Sequence, residues 1–342
     1  MIPKSTKSDY SLAKIYRPIF LLQCFSKVLE KIVATRLCTA GSTLETLTKD
    51  QIGVRPTISA VDALLRTLTP IQQNLLLRQM IGVTTERPAL LMNDIQGAFN
   101  RVNHHSLAEI MIQQKFPHYL INWCKEFNTN RTLQFQFKHE LEPPQPYNSR
   151  LPQGSLLSPV LFMIYAGVGT DPITFPKEIK TTYMDNDALV QLAKTPLLIT
   201  KSLNERMAER VEKAAPLNIK YEPQKSDLVF FKPTTSCNAT PKNSVVFATE
   251  EVHPKDMLKY VDVWLDPNLY FQPHIEEIIA KGLKALGKIR NIAYLPGTTV
   301  KAIHNLVVQG FLPTILWDQK HDGQELTTFC DQSPHSIIKQ PE

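Results

Sequence analysis

Two periodicities alternate along this chain. Val28, Leu29, Ile32, Val33 and Leu37 recur every three or four residues, which predicts a helix that Ser26 is placed to cap. Val61, Leu64, Leu65 and Leu68 predict a second helix, opened by Ser59 and Asp62 in capping-box spacing and kinked or ended at Pro70. Ala89-Leu90-Leu91-Met92 is instead a continuous apolar run of strand length, and it stops at Asn93-Asp94. Helices are expected again from His105 or Ser106 through Leu107, Ile110 and Met111, and then through Leu120, Trp123 and Phe127. Leu133, Phe135 and Phe137 alternate with Gln134 and Gln136, the pattern of a half-buried strand.

A loop with Pro152, Gln153, Gly154 and Ser155 leads to Ser158-Pro159, which reads as an N-cap and first helical position before the apolar helix Val160 to Ala166. Thr182 to Val190 reads as strand, turn and strand, with Asp185, Asn186 and Asp187 between two β-prone runs. By themselves these acids suit an ordinary surface turn as well as a cation site. Ser202 and Glu205 stand in capping-box spacing before Leu203, Met207, Val211 and Ala214, and Pro216 ends that helix. Leu228 to Phe231 and Leu258 to Leu265 read as strands. Around Ile278 to Arg290 a helix carries Ile279, Leu283 and Leu286 on one side and Lys281, Lys284 and Lys288 on another.

Composition narrows the class. A chain of 342 residues, 43% hydrophobic and 20% charged, is globular and long enough for two or three subdomains. Its formal charge of +6 and pI near 8.9 suit a polyanion-binding protein without establishing one. No apolar run approaches the roughly 18 residues of a membrane span, and no signal-peptide core follows Met1, so no membrane partner and an intracellular location, nucleus or cytoplasm, are expected. The five cysteines are odd in number and contain no Cys-x-x-Cys pair, which argues against disulfides and a zinc knuckle.

The order of the motifs resembles the reverse transcriptase domain of non-LTR, LINE-type retrotransposons. It is carried by Ile2-Pro3-Lys4, Tyr16-Arg17-Pro18-Ile19 with Lys27-Val28-Leu29-Glu30-Lys31, and Gln51-Ile52-Gly53-Val54-Arg55-Pro56. It continues through Asp94-Ile95-Gln96-Gly97-Ala98-Phe99-Asn100, Leu151-Pro152-Gln153-Gly154-Ser155, Tyr183-Met184-Asp185-Asn186, Lys225-Ser226-Asp227 and Tyr260-Val261-Asp262-Val263-Trp264-Leu265-Asp266. The resemblance implies an α+β fold of right-hand polymerase architecture, with helical fingers, an antiparallel-sheet palm and a helical thumb. Its expected divisions are a fingers-like region over 1–88, a palm with an inserted fingers segment over 89–266, a thumb-like helical region over 267–317 and an irregular tail over 318–342.

The same resemblance implies RNA-directed DNA polymerase chemistry: a DNA primer 3′-hydroxyl attacks a deoxynucleoside triphosphate on an RNA template, assisted by two Mg²⁺ ions, or Mn²⁺ in their place. The catalytic and metal-ligating positions map to Asp94, Asp185 and Asn186. Phe99 maps to the aromatic that excludes a ribose 2′-hydroxyl, Gln153 and Gly154 to the loop against the incoming base, Arg55 to a triphosphate contact and Lys225 to a palm lysine. Lys281, Lys284 and Lys288 map to the thumb surface that follows the duplex backbone.

The departures from the family pattern bear on activity. Asn186 stands where the family has a second aspartate of the hairpin, which removes one negative charge from the metal site. Asp187 replaces an apolar residue, and alternation allows it either to assist Asp185 or to put a charge into the palm core. Val54, Thr57-Ile58, Asn100 and Asp262 are further departures, and the chain begins inside the finger region. The expectation is a truncated, drifting copy with weakened or lost activity. The alternatives are a catalytically dead nucleic-acid-binding remnant and a relic that hardly folds.

Overall fold

The structure, a computed structural model, describes residues 2–3, 16–17, 23–55, 58–81, 86–129, 131–134, 136–137, 140–147, 151–168, 177–232 and 241–315. Thr57, Phe135 and the tail beyond Trp317 lie outside them. Two compact units are present, Met1–Val261 and Asp262–Glu342.

In the first unit, β1 (Ile2–Pro3) pairs antiparallel with β2 (Tyr16–Arg17). Helix α1 (Cys24–Thr43) begins ahead of the expected Ser26 cap, with Gln23 as its flanking residue. Helix α2 (Ala60–Ile81) has the expected capping box: the Ser59 amide donates to Asp62 Oδ2 at 2.6 Å, and the Asp62 amide donates to Ser59 Oγ at 3.3 Å. Pro70 does not end this helix. A proline removes one helical hydrogen bond, but Leu68, Ile71 and Leu75 are buried on either side of it, and their packing keeps the helix running.

Strand β3 (Arg87–Asp94) leads to the short helix α3 (Ala98–Arg101), then to α4 (His104–Gln113) and α5 (His118–Asn128). The cap of α4 is Asn103, whose Oδ1 accepts from the amides of His105 and Ser106 at 2.9 and 3.2 Å. The single strand expected over 133–137 is two short pieces. Here β4 (Arg131–Leu133) pairs with β7 (Gln145–Tyr147), and β5 (Gln136–Phe137) pairs with β6 (Glu140–Leu141). Helix α6 (Ser158–Gly167) is buried on all sides from Val160 to Ala166. Ser158 is its first residue and not its cap, because the Ser158 hydroxyl donates to the Pro152 carbonyl at 2.9 Å.

Strands β8 (Glu178–Tyr183) and β9 (Asn186–Ala193) form the expected hairpin, followed by α7 (Pro196–Ala214). Thr195 caps α7, its Oγ1 accepting from the Leu198 amide at 3.3 Å, so Ser202 and Glu205 are not a capping box. Ile199 and Leu203 are both fully buried, so the apolar stripe starts a turn before Ser202 and carries the helix with it. Ser202 instead bonds Gln191 Oε1 at 3.2 Å from within the helix.

The centre of the unit is a four-stranded antiparallel sheet in the order β10-β3-β9-β8, where β10 is Asp227–Phe230. Alternation puts Ala89, Leu91, Asn93, Asp187, Leu189 and Gln191 on one face, which α7 covers. Leu90, Met92, Ala188 and Val190, on the other, are also buried, and α2 packs against the same strands. At the ends of β3 and β9, beyond these covered faces, Asp94 and Asn186 are half-buried. Strands β11 (Val245–Phe247) and β12 (Glu250–Val252) make a small outlying ladder.

The strand expected over 258–265 is parted into β13 (Leu258–Tyr260) and β14 (Val263–Leu265) by Val261 and Asp262, at φ 45° and 65°. In the second unit the Asp266 carboxylate gathers the amides of Asn268, Tyr270 and Phe271 at 3.2, 3.2 and 2.7 Å, and α8 (Gln272–Ala293) follows. Ile279, Leu283 and Leu286, its apolar side, are exposed. Gly282 and Ile289 are buried instead, and at Gly282 a Cβ would stand 3.1 Å from Ile315 Cδ1.

Candidate active site

The hairpin between β8 and β9 closes on a two-residue turn, Met184 and Asp185, with Tyr183 directly opposite Asn186. The unusual backbone angle falls on Met184, at φ 56°, and not on the acidic or amide residues expected to take it. A side chain there costs about 1–2 kcal/mol relative to glycine, so the turn must be held from outside. The stretch 50–53 holds it. The Ile52 amide donates to the Thr182 carbonyl at 2.9 Å, and the Thr182 amide donates to the Asp50 carbonyl at 2.8 Å. Gly53 lies so close that a Cβ on it would stand 2.8 Å from the Met184 nitrogen. Gln51, buried, anchors the same stretch by donating to the Met163 carbonyl of α6 at 3.0 Å.

Beyond Gly53 the backbone stays unusual. Val54 sits at φ 64°, a costly angle for a β-branched side chain. Arg55 does not point freely into solvent, since its Nη2 donates to the Leu47 carbonyl and its Nε is buried without a partner.

Strand register brings the predicted carboxylates together. Asp94, the last residue of β3, lies opposite Asn186, the first of β9, and the Ile95 amide donates to the Asp185 carbonyl at 3.3 Å. Lys225 Nζ lies 3.1 Å from Asp94 Oδ2 and 2.5 Å from Glu222 Oε2. Burial pushes the Asp94 carboxyl above its ordinary range, aided by the charges of Asp185 and Glu222 and opposed by Lys225. Burial works against the Lys225 ammonium, yet its bonds to Glu222 and Asp94 hold it above the usual lysine range.

Asp187 is not part of this solvent-facing group. It lies on the α7 face of the sheet, opposite Asn93 and Thr182, and is 1% exposed. Both its oxygens are taken by Arg210 of α7, with Nη2 to Oδ1 at 2.9 Å, and the Thr182 hydroxyl adds a bond at 3.0 Å. Burial would raise its carboxyl, but the charges of Arg210 and Lys180 and these hydrogen bonds hold it below the usual range. Between the two roles the sequence left open, the structure places a charge in the core and neutralises it there. Glu178 and Arg206 form a second buried pair on the same face, at 3.1 Å. Arg210 was missed by the sequence reading, although a signal was present: it shares the stripe of Leu203, Met207 and Ala214 at helical spacing.

Phe99, in α3, packs at 5.6 Å against the Phe162 ring, and its carbonyl accepts from the Leu151 amide at 3.0 Å. That bond brings the start of the 151–158 loop to the segment that follows Asp94. Gln153 is half-buried and Gly154 exposed, at φ 112°. Gln96, Gly97, Asn100, Arg101 and Asn218 line a polar cleft beside this segment, with Arg101 bonded to Gln96 at 2.5 Å and Asn218 at 3.3 Å. Lys281, Lys284 and Lys288 are exposed along α8, and Lys281 pairs with Glu277 at 2.7 Å. Among the described residues no group of three His, Cys, Asp or Glu side chains is arranged to hold a metal ion, and no helix is long and apolar enough to cross a membrane.

Comparison with known proteins places this geometry. The family model described as reverse transcriptase (RNA-dependent DNA polymerase) matches residues 2–264. The chain is similar to the RNA-directed DNA polymerase from mobile element jockey of Drosophila melanogaster, 28% identical over 81% of this chain and 30% of that protein. It is also similar to the probable RNA-directed DNA polymerase from transposon BS of the same fly, 24% identical over 85% of this chain and 31% of that protein. The chain thus spans under a third of the length of these curated relatives. Among solved structures, apo telomerase from Candida tropicalis truncated from its C-terminal domain aligns at a TM-score of 0.45 and 9% identity, over 72% of this chain and 44% of that one. With ordered motifs, an antiparallel sheet carrying the hairpin and a family match over most of its length, the chain belongs to the reverse transcriptase (RNA-dependent DNA polymerase) family, as a non-LTR retrotransposon domain of mixed helix and antiparallel sheet.

Proposed function

We propose that this domain copies an RNA template into DNA inside the cell, joining deoxynucleoside triphosphates to a primer 3′-hydroxyl. Residues 1–88 serve as fingers, 89–266 as palm and 267–317 as thumb. The observation that carries this reading is the register of the sheet, which puts Asp94 against Asn186 with Asp185 on the adjoining turn.

The donor chemistry fits a hard dication. Asp94 and Asp185 supply carboxylate oxygens and Asn186 an amide carbonyl, and such a cation prefers oxygen ligands. A bound Mg²⁺ or Mn²⁺ supplies positive charge to the phosphate oxygens and to the attacking hydroxyl. A second ion is less well provided for, since an amide stands where a third carboxylate is needed and Asp187 is held by Arg210 on the other face. Lys225 neutralises part of the charge of Asp94 until a cation or substrate competes for it. Phe99 limits the sugar to a deoxyribose, Gln153 and Gly154 face the incoming base, Arg55 lies on the triphosphate side, and the α8 lysines follow the duplex backbone. The turnover is therefore weak.

Primer extension on an RNA template, with deoxynucleotides and Mg²⁺ or Mn²⁺, tests this. The chain extends slowly, Asp94→Ala does not extend, and Asn186→Asp extends faster. Extension that survives Asp94→Ala removes the site assignment. The sequestered Asp187 favours a second reading, a nucleic-acid-binding domain without turnover. In that case only Asn186→Asp extends, while the unaltered chain still binds primer and template in a salt-sensitive way.

A further inference from the structure

Glu30 of α1 has no exposure at all, yet it is a carboxylate, and it sits behind the loop that carries Gln153 and Gly154. Its Oε2 accepts from the Ser155 hydroxyl at 2.5 Å and from the Leu156 amide at 3.0 Å. Ser155 Oγ in turn accepts from the Leu157 amide at 3.1 Å, so one carboxylate orders three successive residues. Oxygen Oε1 has no hydrogen-bond partner, and Arg131 lies near enough for its charge to interact with the carboxylate. A buried charge is costly unless it is compensated. Hydrogen bonds to an ionised acceptor are about twice as strong as neutral ones, which is the return on that cost.

The loop is thereby held at both ends. At the front the Leu151 amide donates to the Phe99 carbonyl at 3.0 Å, and at the back Glu30 holds Ser155 and Leu156. Between the holds, the Pro152 carbonyl accepts from the Ser155 amide at 3.3 Å and from the Ser158 hydroxyl at 2.9 Å. Gly154 takes its φ of 112° inside that frame, so Gln153 and Gly154 have little freedom left.

We propose that Glu30 is a positioning residue for nucleotide binding, one that presents Gln153 and Gly154 from behind without touching the nucleotide itself. This rests on the polymerase reading only for the identity of the ligand, since the ordering of the loop is a separate property. Two measurements on the full chain test it. Amide hydrogen exchange across residues 153–157 rises at least tenfold in Glu30→Ala and less in Glu30→Gln, which keeps one acceptor, while β3 and β9 exchange as before. Binding of a fluorescent deoxynucleoside triphosphate, with primer and template present and Ca²⁺ as the cation, weakens about tenfold in Glu30→Ala and partly recovers in Glu30→Gln. Should Glu30→Ala fail to fold, Ser155→Ala removes the hydroxyl from the loop side and shows the same local exchange and loss of affinity. Unchanged exchange in the loop overturns the proposal, and so does equal loosening of loop and sheet, which marks a merely structural carboxylate. Nucleotide binding that persists at full strength while the loop exchanges freely overturns it too. If the unaltered chain neither extends a primer nor binds the nucleotide, the polymerase reading fails and the role of Glu30 in nucleotide binding fails with it, whereas absent extension with intact binding sinks only turnover.

Discussion

Arg210 grips both carboxylate oxygens of Asp187 directly behind the hairpin, with each side chain 2% exposed. Asp187 immediately follows Asn186, so a buried ion pair anchors the strand whose first residue faces Asp94. The sheet can carry this charge only because α7 delivers a planar, bidentate partner to it.

Replacing one partner leaves the other charged and buried without its main counter-charge. Arg210→Met therefore lowers stability by about 3–5 kcal/mol, and the double variant Asp187→Leu with Arg210→Met regains most of it. Urea unfolding of the two single variants and the double variant checks this. Additive losses in the double variant show that the two side chains are not coupled.

Lys180 lies on the same face and is 7% exposed. Burial first, then the charge of Arg210, pull its ammonium down to about 7, against the favourable charge of Asp187. In the unfolded chain a lysine titrates near 10.4. Between those values the unfolded chain holds a proton that the folded one has released, so stability rises with pH across that window. Below about 7 the full cost of burying the cation is present. The unfolding midpoint should increase from pH 7 to pH 9, and Lys180→Met should flatten that increase while stabilising the protein at pH 7. An equal slope in both proteins removes Lys180 as its source.

Gly53 has no room for a side chain. A Cβ there stands 2.8 Å from the backbone nitrogen of Met184, and backbone cannot swing aside as a flexible side chain does. Gly53→Ala is expected to cost about 1–3 kcal/mol through overpacking and to displace the turn that carries Asp185. Thermal unfolding and primer extension should both fall, and a variant of ordinary stability and rate shows that the turn is held by other contacts.

Asn186→Asp adds a third carboxylate opposite Asp94. Without a cation the added like charge weakens the fold slightly, and with Mg²⁺ it strengthens binding. A tenfold gain in Mg²⁺ affinity is about 1.4 kcal/mol at saturation, which is a rise of a few degrees in Tm. Thermal unfolding with and without Mg²⁺ should thus show a larger shift in Asn186→Asp than in the unaltered chain. Equal shifts place the cation away from residue 186.

Local pattern was enough for much of this. The apolar run ending at Asp94, the hairpin around Asp185 and the Ser59-Asp62 capping box were legible because backbone geometry imposes periods of two and 3.6, and caps act within a few residues. The motif order was enough to name the family. Elements failed where distant packing outweighed a local signal: burial on both sides of Pro70 carried α2 through it, and the stripe from Ile199 made Ser202 internal. At the site, alternation left Asp187 either to assist Asp185 or to enter the palm core, and only the fold brings Arg210, 23 residues on, to neutralise it in the core. Glu30 and Ser155, 125 residues apart, were likewise two separate motifs until folding joined them. Sequence by itself determined the strand ending at Asp94, the hairpin around Asp185 and the ancestry, since these follow from short-range geometry and ordered motifs. Tertiary structure alone decided which charges are buried, what compensates each, and which backbone positions carry strain, because those depend on what the rest of the chain brings within 3 Å.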